Sequence, residues 1–206
     1  MRKIFCTTFN KQLYDRYANQ LIDTYLQTNQ TIPLHVFVED LESVHYPKHP
    51  NVFYHNLFEE EPELKKFVER NKGRPFSDFL GDAVRFSYKV FAQNASRKYG
   101  DKIYYVDSDS KFIRQIPNEW YDECLPDDTF IAFYDRPNTY TETGFVAFNE
   151  NKIISKQFFN QYTRFYIEDT VYTLNSYTDC HTLDETRRIC KEDIHYKENK
   201  LGDGAN

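Results

Sequence analysis

At 206 residues the chain is long enough for one domain with one hydrophobic core. Its aromatic fraction is 17%, with 18 Phe and 17 Tyr, which excludes a disordered chain. With 32 acidic and 26 basic residues the net charge is −6, which excludes a broad cationic surface for a nucleic-acid backbone.

No run approaches the ~20 apolar residues of a membrane span. The N-terminal MRKIFC has an apolar part too short for a signal peptide. Cysteines stand at 6, 124, 180 and 190 with no CxxC pair. A zinc cluster and a disulfide framework are therefore unsupported, and reduced thiols in the cytoplasm are expected.

In chain order, KIFCTT (3–8) reads as a strand. Leu13, Tyr17, Leu21 and Tyr25 follow at helical spacing over residues 10–28. LHVFVE (34–39) and NVFYH (51–55) read as strands, and residues 60–71 as a polar helix. KGRP (72–75) is a breaker, and Ser77 is the expected N-cap of a long helix ending before Gly100. Strands are expected at 102–106, 129–134 and 143–148, and helices at 153–166 and 182–192. Thr182 and Glu185 have the spacing of a capping box that would open the last helix. Residues 198–206 read as a flexible tail behind a domain covering 1–197. This alternation predicts a single α/β domain with a mostly parallel sheet flanked by helices. Ligands gather at the carboxyl ends of such strands.

The strand KIYYV runs straight into Asp107-Ser108-Asp109 at such an end. Alternate side chains of a strand point the same way, so the two carboxylates converge. Left alone they would repel, and a divalent cation resolves the conflict. Mg²⁺ or Mn²⁺ takes hard oxygen ligands, commonly one or two carboxylates plus substrate phosphates and water. The plain alternative is a solvated turn in which the aspartates cap backbone groups.

Upstream, Asp82, Arg85 and Lys89 share one helical stripe, followed by Tyr99-Gly100 and then the strand ending in Asp-Ser-Asp. Lys89 reads as a solvated residue of that helix. The order and spacing over some thirty residues resemble the donor-site region of GT-A fold glycosyltransferases, whose domain is Rossmann-like. The resemblance implies a nucleotide-diphosphate sugar donor, with UDP-sugars favoured, and an Mn²⁺ or Mg²⁺ cofactor. It implies that Asp107 contacts the ribose or the metal, that Asp109 ligates the metal, and that Ser108, Asp82 and Arg85 belong to the donor site. In that fold the loop after the first strand holds the base. Thr7, Thr8 and Phe9 are the candidates here, although Thr8 or Asn10 would serve equally as a helix cap. Asp40 is a further candidate for the base or ribose.

Beyond the motif, Gly144 is expected to allow close approach of backbone to the donor sugar, with Glu142 near the acceptor. An inverting transferase needs a base for the acceptor hydroxyl, and Asp179 and Glu142 are the candidates, with Asp179 favoured. His195 is a candidate third metal ligand, by analogy with members that supply a C-terminal His. The resulting expectation is a metal-dependent transferase acting on a glycan, lipid-linked or other hydroxyl acceptor. Two alternatives remain. One is a degenerate domain that binds a nucleotide or glycan without turnover. The other is a phosphatase with Asp107 as nucleophile.

Overall fold

The computed structural model describes residues 1–43, 45–76 and 78–203. Strand β1 (Lys3–Thr8) leads into a helical stretch over 11–27. That stretch is α1 (Lys11–Leu13), a π-type turn at Tyr14–Ala18 and α2 (Asn19–Gln27). Asn10 caps its start, accepting from Leu13 N at 3.0 Å. Strands β2 (Leu34–Val38) and β3 (Val52–Asn56) follow. The polar helix expected at 60–71 is split into α3 (Leu57–Glu60) and α4 (Pro62–Asn71). Pro62 cannot donate to a continuing helix, but it suits a first helical turn.

Helix α5 (Ala83–Ser96) precedes β4 (Lys102–Val106). Its N-cap is Asp82, whose side chain accepts from Arg85 N at 3.2 Å. Ser77, the expected cap, lies outside the described residues. Helix α6 (Asn118–Cys124), β5 (Thr129–Asp135), β6 (Glu142–Asn149) and α7 (Ile154–Ile167) come next. The final elements are α8 (Asp179–Asp193) and β7 (Lys197–Asp203).

Two expectations change here. Helix α8 opens at Asp179 with Thr178 as N-cap, not at Thr182. The Thr182 hydroxyl turns back onto the carbonyls of Thr178 and Asp179 and is fully buried, so it has no capping role. The stretch read as a tail supplies β7, which pairs parallel with β5.

The sheet order is β3-β2-β1-β4-β6-β5-β7. The pairs β2–β3, β1–β2 and β1–β4 are parallel, whereas β6 is antiparallel to both β4 and β5. Every residue of β2 and β4 is buried, as expected of parallel strands covered on both faces. One core packs Ile4, Cys6, Ile103 and Tyr105 against α5 and α7. The other packs Phe5, Tyr104 and Val36 against α2 and α6.

This topology brings the ends of β1, β2 and β4 to one edge. Because β6 runs the other way, its first residues reach the same edge, with Phe145 beside Val106. A register shift between Phe133 and Tyr134 of β5 bulges β6 at this point. Bulges recur beside functional sites because they re-aim the backbone.

Gly100 joins α5 to β4 against the side chain of Ile4. A Cβ there would stand 2.7 Å from Ile4 Cγ1. Ile4 is buried and has no room to retreat. Gly100→Ala is expected to lower stability by about 1–3 kcal/mol in urea unfolding.

Glu61 lies between α3 and α4 and accepts from Asn94 Nδ2 of α5 at 2.8 Å. Burial pushes its carboxyl up to about 7. A raised glutamate holds its proton more tightly when folded, so its favourable contribution is full at acid pH and is lost as pH rises through about 7. Glu61→Gln keeps the acceptor oxygen. It is expected to gain stability over wild type at pH 8 and to lose that advantage near pH 5, as read by thermal melts across that range.

Candidate active site

The Asp107–Ser110 turn closes β4, with Ser110 N donating to Asp107 O at 3.0 Å. Asp107 N donates to Gly144 O at 2.8 Å, which fixes the turn on the bulged start of β6. Asp107 Oδ1 accepts from Tyr105 OH at 3.1 Å and pairs with Lys89 Nζ at 2.7 Å. Oδ2 faces Gly144 and takes no hydrogen bond among the described residues. Asp109 is exposed and has no polar partner among them.

Lys89 is the main departure from the sequence expectation. It is not a solvated residue: 14% of its side chain is accessible. From the middle of α5 its Nζ reaches Asp107, the Thr143 carbonyl at 3.2 Å, and Asp179 Oδ2 at 2.9 Å. The Asp179 contact is an ion pair that lacks the alignment of a hydrogen bond. Burial opposes the lysine's charge, but Asp107 and Asp179 outweigh it and hold the ammonium above its ordinary range. Burial raises the Asp107 carboxyl; Lys89 opposes this, while Asp179 and Asp109 add to it. One cation therefore serves two carboxylates in a poorly hydrated place.

Beside this cluster opens a cavity of about 500 Å³. It is lined by the Asp107–Asp109 turn, by Asp82 at the N-cap of α5 and by Arg85 and Lys89 of that helix. Thr8, Arg16, Tyr17 and Glu39 line it as well. Asp82 and Arg85 make no ion pair with each other; the Arg85 guanidinium stacks 4.3 Å from the Phe79 ring centre. The Thr8 hydroxyl donates to Phe37 O at 2.8 Å. Ser108 lines the cavity and is nearly buried.

Several sequence candidates are placed otherwise. Thr7 is fully buried and lines no part of the cavity. Phe9 touches the cavity but is 2% exposed, packed against Tyr14 and Tyr46, so its faces are not free for a base. Asp40 is engaged by Lys11 N and the Tyr46 hydroxyl. Its neighbour Glu39 is the acid that reaches the cavity. It accepts from Asn10 Nδ2, and burial pushes it up to about 6. The signal for Glu39 was its place as the first polar residue after a buried strand.

Glu142 pairs with Arg136 at 2.6 Å and accepts from Gly144 N at 2.7 Å. A Cβ on Gly144 would stand 3.0 Å from Glu142 Oε1 and 3.4 Å from Asp107 Oδ2. Gly144 thus keeps open the space between two carboxylates. Asp179, at the first turn of α8, is 2% exposed and sits behind Lys89, out of reach of an acceptor. Burial pushes the neighbouring Cys180 thiol up to about 11, so it stays protonated. His195 is at the wrong end of the molecule. It precedes β7, whose first residue lies beside Thr129 at the amino end of β5, opposite Asp107.

Among the described residues, no three His, Cys, Asp or Glu side chains converge as metal ligands. The available donor set is Asp107 Oδ2 and Asp109. Two hard carboxylates suit a cation that completes its shell with phosphate oxygens and water, as Mg²⁺ and Mn²⁺ do.

Solved structures share this architecture. Mouse xyloside xylosyltransferase 1, in its apo form, superposes with a TM-score of 0.57 at 14% identity, over 98% of this chain and 85% of that one. The apo WbbM bifunctional glycosyltransferase gives 0.53 at 13% identity, over 97% of this chain and 38% of that one. The fold is a GT-A-like glycosyltransferase fold. At these identities the likeness speaks for the fold alone. No protein-family model and no curated protein matches the sequence. Among the described residues no helix is long and apolar enough to cross a membrane.

Lys89→Met removes the shared cation and leaves Asp179 buried with an unpaired charge. It is expected to cost about 3–5 kcal/mol in urea unfolding, with part of the loss recovered when Asp179→Asn is added. Independent, additive losses from the two substitutions would show that the cluster is not a unit.

Proposed function

We propose that the chain is a glycosyltransferase of the hexosyl type. It moves a sugar from a nucleotide-diphosphate sugar, with UDP-sugars favoured, to an acceptor hydroxyl. The observation that carries this reading is the composition of the cavity beside Asp107. One turn presents Asp107, Ser108 and Asp109, and one helix presents Asp82, Arg85 and Lys89, at the carboxyl edge of a glycosyltransferase fold. That is where ligands of α/β sheets gather.

Asp107 Oδ2 and Asp109 would hold Mn²⁺ or Mg²⁺. When bound, the metal would supply Lewis-acid neutralisation of the diphosphate. The chain's own residues do the rest. Thr8, Tyr17 and Glu39 also line the cavity and would form the walls for the nucleoside. Arg85, which pairs with no carboxylate among the described residues, would place positive charge on the diphosphate side, where negative charge grows as the nucleotide leaves. Lys89 fixes the orientation of Asp107. Of the two candidate bases, Glu142 is partly accessible and adjoins Asp107 across Gly144, whereas Asp179 is buried; Glu142 is paired with Arg136 and does not line this cavity.

The burial of Asp179 behind Lys89 favours a second reading, a domain that binds the nucleotide without turnover. A phosphatase with Asp107 as nucleophile fits less well, because Lys89 and Tyr105 occupy one oxygen of that carboxylate.

Calorimetric titration of UDP, GDP and CDP, with and without Mn²⁺, tests the proposal on wild type and Asp109→Ala. Metal-dependent binding of UDP that weakens at least about tenfold in Asp109→Ala is expected, the effect of one lost charged ligand. Binding without release of sugar or UDP from a UDP-sugar would favour the binding-domain reading. A folded protein that binds none of the three nucleotides would refute both.

A further inference from the structure

A second cavity of about 490 Å³ lies on the far side of the start of α5. Asp82 and Val84 line both cavities, so the two meet across that helix end. Its other walls come from Lys72, Arg74 and Phe76 of the segment between α4 and α5, and from Tyr172 and Tyr177. The aromatic walls are held in place. Tyr172 donates its hydroxyl to Asn71 Oδ1 at 3.0 Å, and its ring meets Tyr177 edge-on at 5.2 Å. Phe76 stands at the rim, 54% exposed. The Tyr177 and Phe76 rings offer apolar surface to the C–H face of a sugar, whereas the Tyr172 ring carries Arg74 over its face.

The charge of this cavity differs from that of the first. Lys72 and Arg74 form no ion pair among the described residues. The nearby Asp169 carboxylate is taken by Arg70 and Asn71. The Arg74 guanidinium lies 3.6 Å from the Tyr172 ring centre, which fixes a cation beside an aromatic wall. Against these two cations the lining carries one carboxylate, Asp82, already accepting from Arg85 N. In a chain of net charge −6 this is a local positive surplus.

We propose that the second cavity is the acceptor site and that it takes a saccharide bearing an anionic group, a carboxylate or a phosphate. The sugar ring lies against Tyr177 and Phe76, and the anionic group meets Lys72 and Arg74. The acceptor hydroxyl then points across Asp82 toward the donor cavity. This rests on the transferase reading, and the experiment separates the two.

Ligand-observed NMR would measure binding of methyl β-glucuronide, glucose 1-phosphate and methyl β-glucoside to the full chain. Wild type, Lys72→Gln/Arg74→Gln and Tyr177→Ala would be compared, with UDP titration run on each as a control for the first cavity. Both anionic sugars, or one of them, should bind more tightly than the neutral glucoside. The double variant should weaken that binding at least about fivefold while leaving the glucoside unchanged, the loss expected for exposed charged hydrogen bonds. Tyr177→Ala should weaken all three. Preference for the glucuronide identifies a carboxylate, and preference for the phosphate a phosphorylated acceptor. Equal affinity for charged and neutral sugars, or no saccharide binding by a protein that still binds UDP, would overturn the proposal and leave the donor reading standing. Charge-dependent saccharide binding without UDP binding would support the second site and sink the transferase reading.

Discussion

One buried ammonium organises the functional edge of this protein. Lys89 stands where α5, β4, β6 and α8 meet, and its charge is the reason that Asp107 and Asp179 can lie so close in a poorly hydrated place. Without it Asp179, 2% exposed, would have no cation within reach among the described residues, and Asp107 would lose its partner. The cost of burying three charges is met by geometry fixed from four elements at once. Such a cluster holds its side chains in one orientation, as a site for a charged ligand requires.

The sheet explains why those elements converge. Three parallel strands end at one edge, and the reversed β6 brings its first residues to the same place. The bulge in β6 sets Gly144 under the Asp107 turn, and the glycine leaves room for two acidic side chains that a larger residue would push apart. Parallel strands therefore supply one part of the site and an antiparallel strand braces the Asp107 turn.

Much of this was legible in the sequence. Buried strands appear as apolar runs, and Asp107 and Asp109 follow one of them directly. Asp82 and Arg85 share a helical stripe with Lys89, so their common placement follows from spacing. What the stripe cannot show is which lysine is buried: an amphipathic pattern reads every charged residue as facing water. Phe9 was misread for a related reason, because an aromatic at a strand end suits a core as well as a ligand. The start of α8 was displaced because Thr178 and Thr182 are both good caps, and only tertiary packing selects between them. Strand β7, KENKLGD, carries no apolar run at all. Its polar side chains form ion pairs instead, Lys197 with Asp128, Lys200 with Asp135 and Glu198 with Arg187. Such an edge strand is built by its neighbours rather than by its own pattern.

The cap at Thr178 has a dynamic consequence. Asp179 is held behind Lys89 by a single helical turn, whose first free amide is satisfied by one threonine hydroxyl. A cap of this kind is worth about 1 kcal/mol, far less than unfolding the domain. The cap does not hold that turn alone, since Asp179 is also buried against Lys89. Opening the turn would break the ion pair together with the cap, so motion of one helix end and the charge balance of the site are coupled.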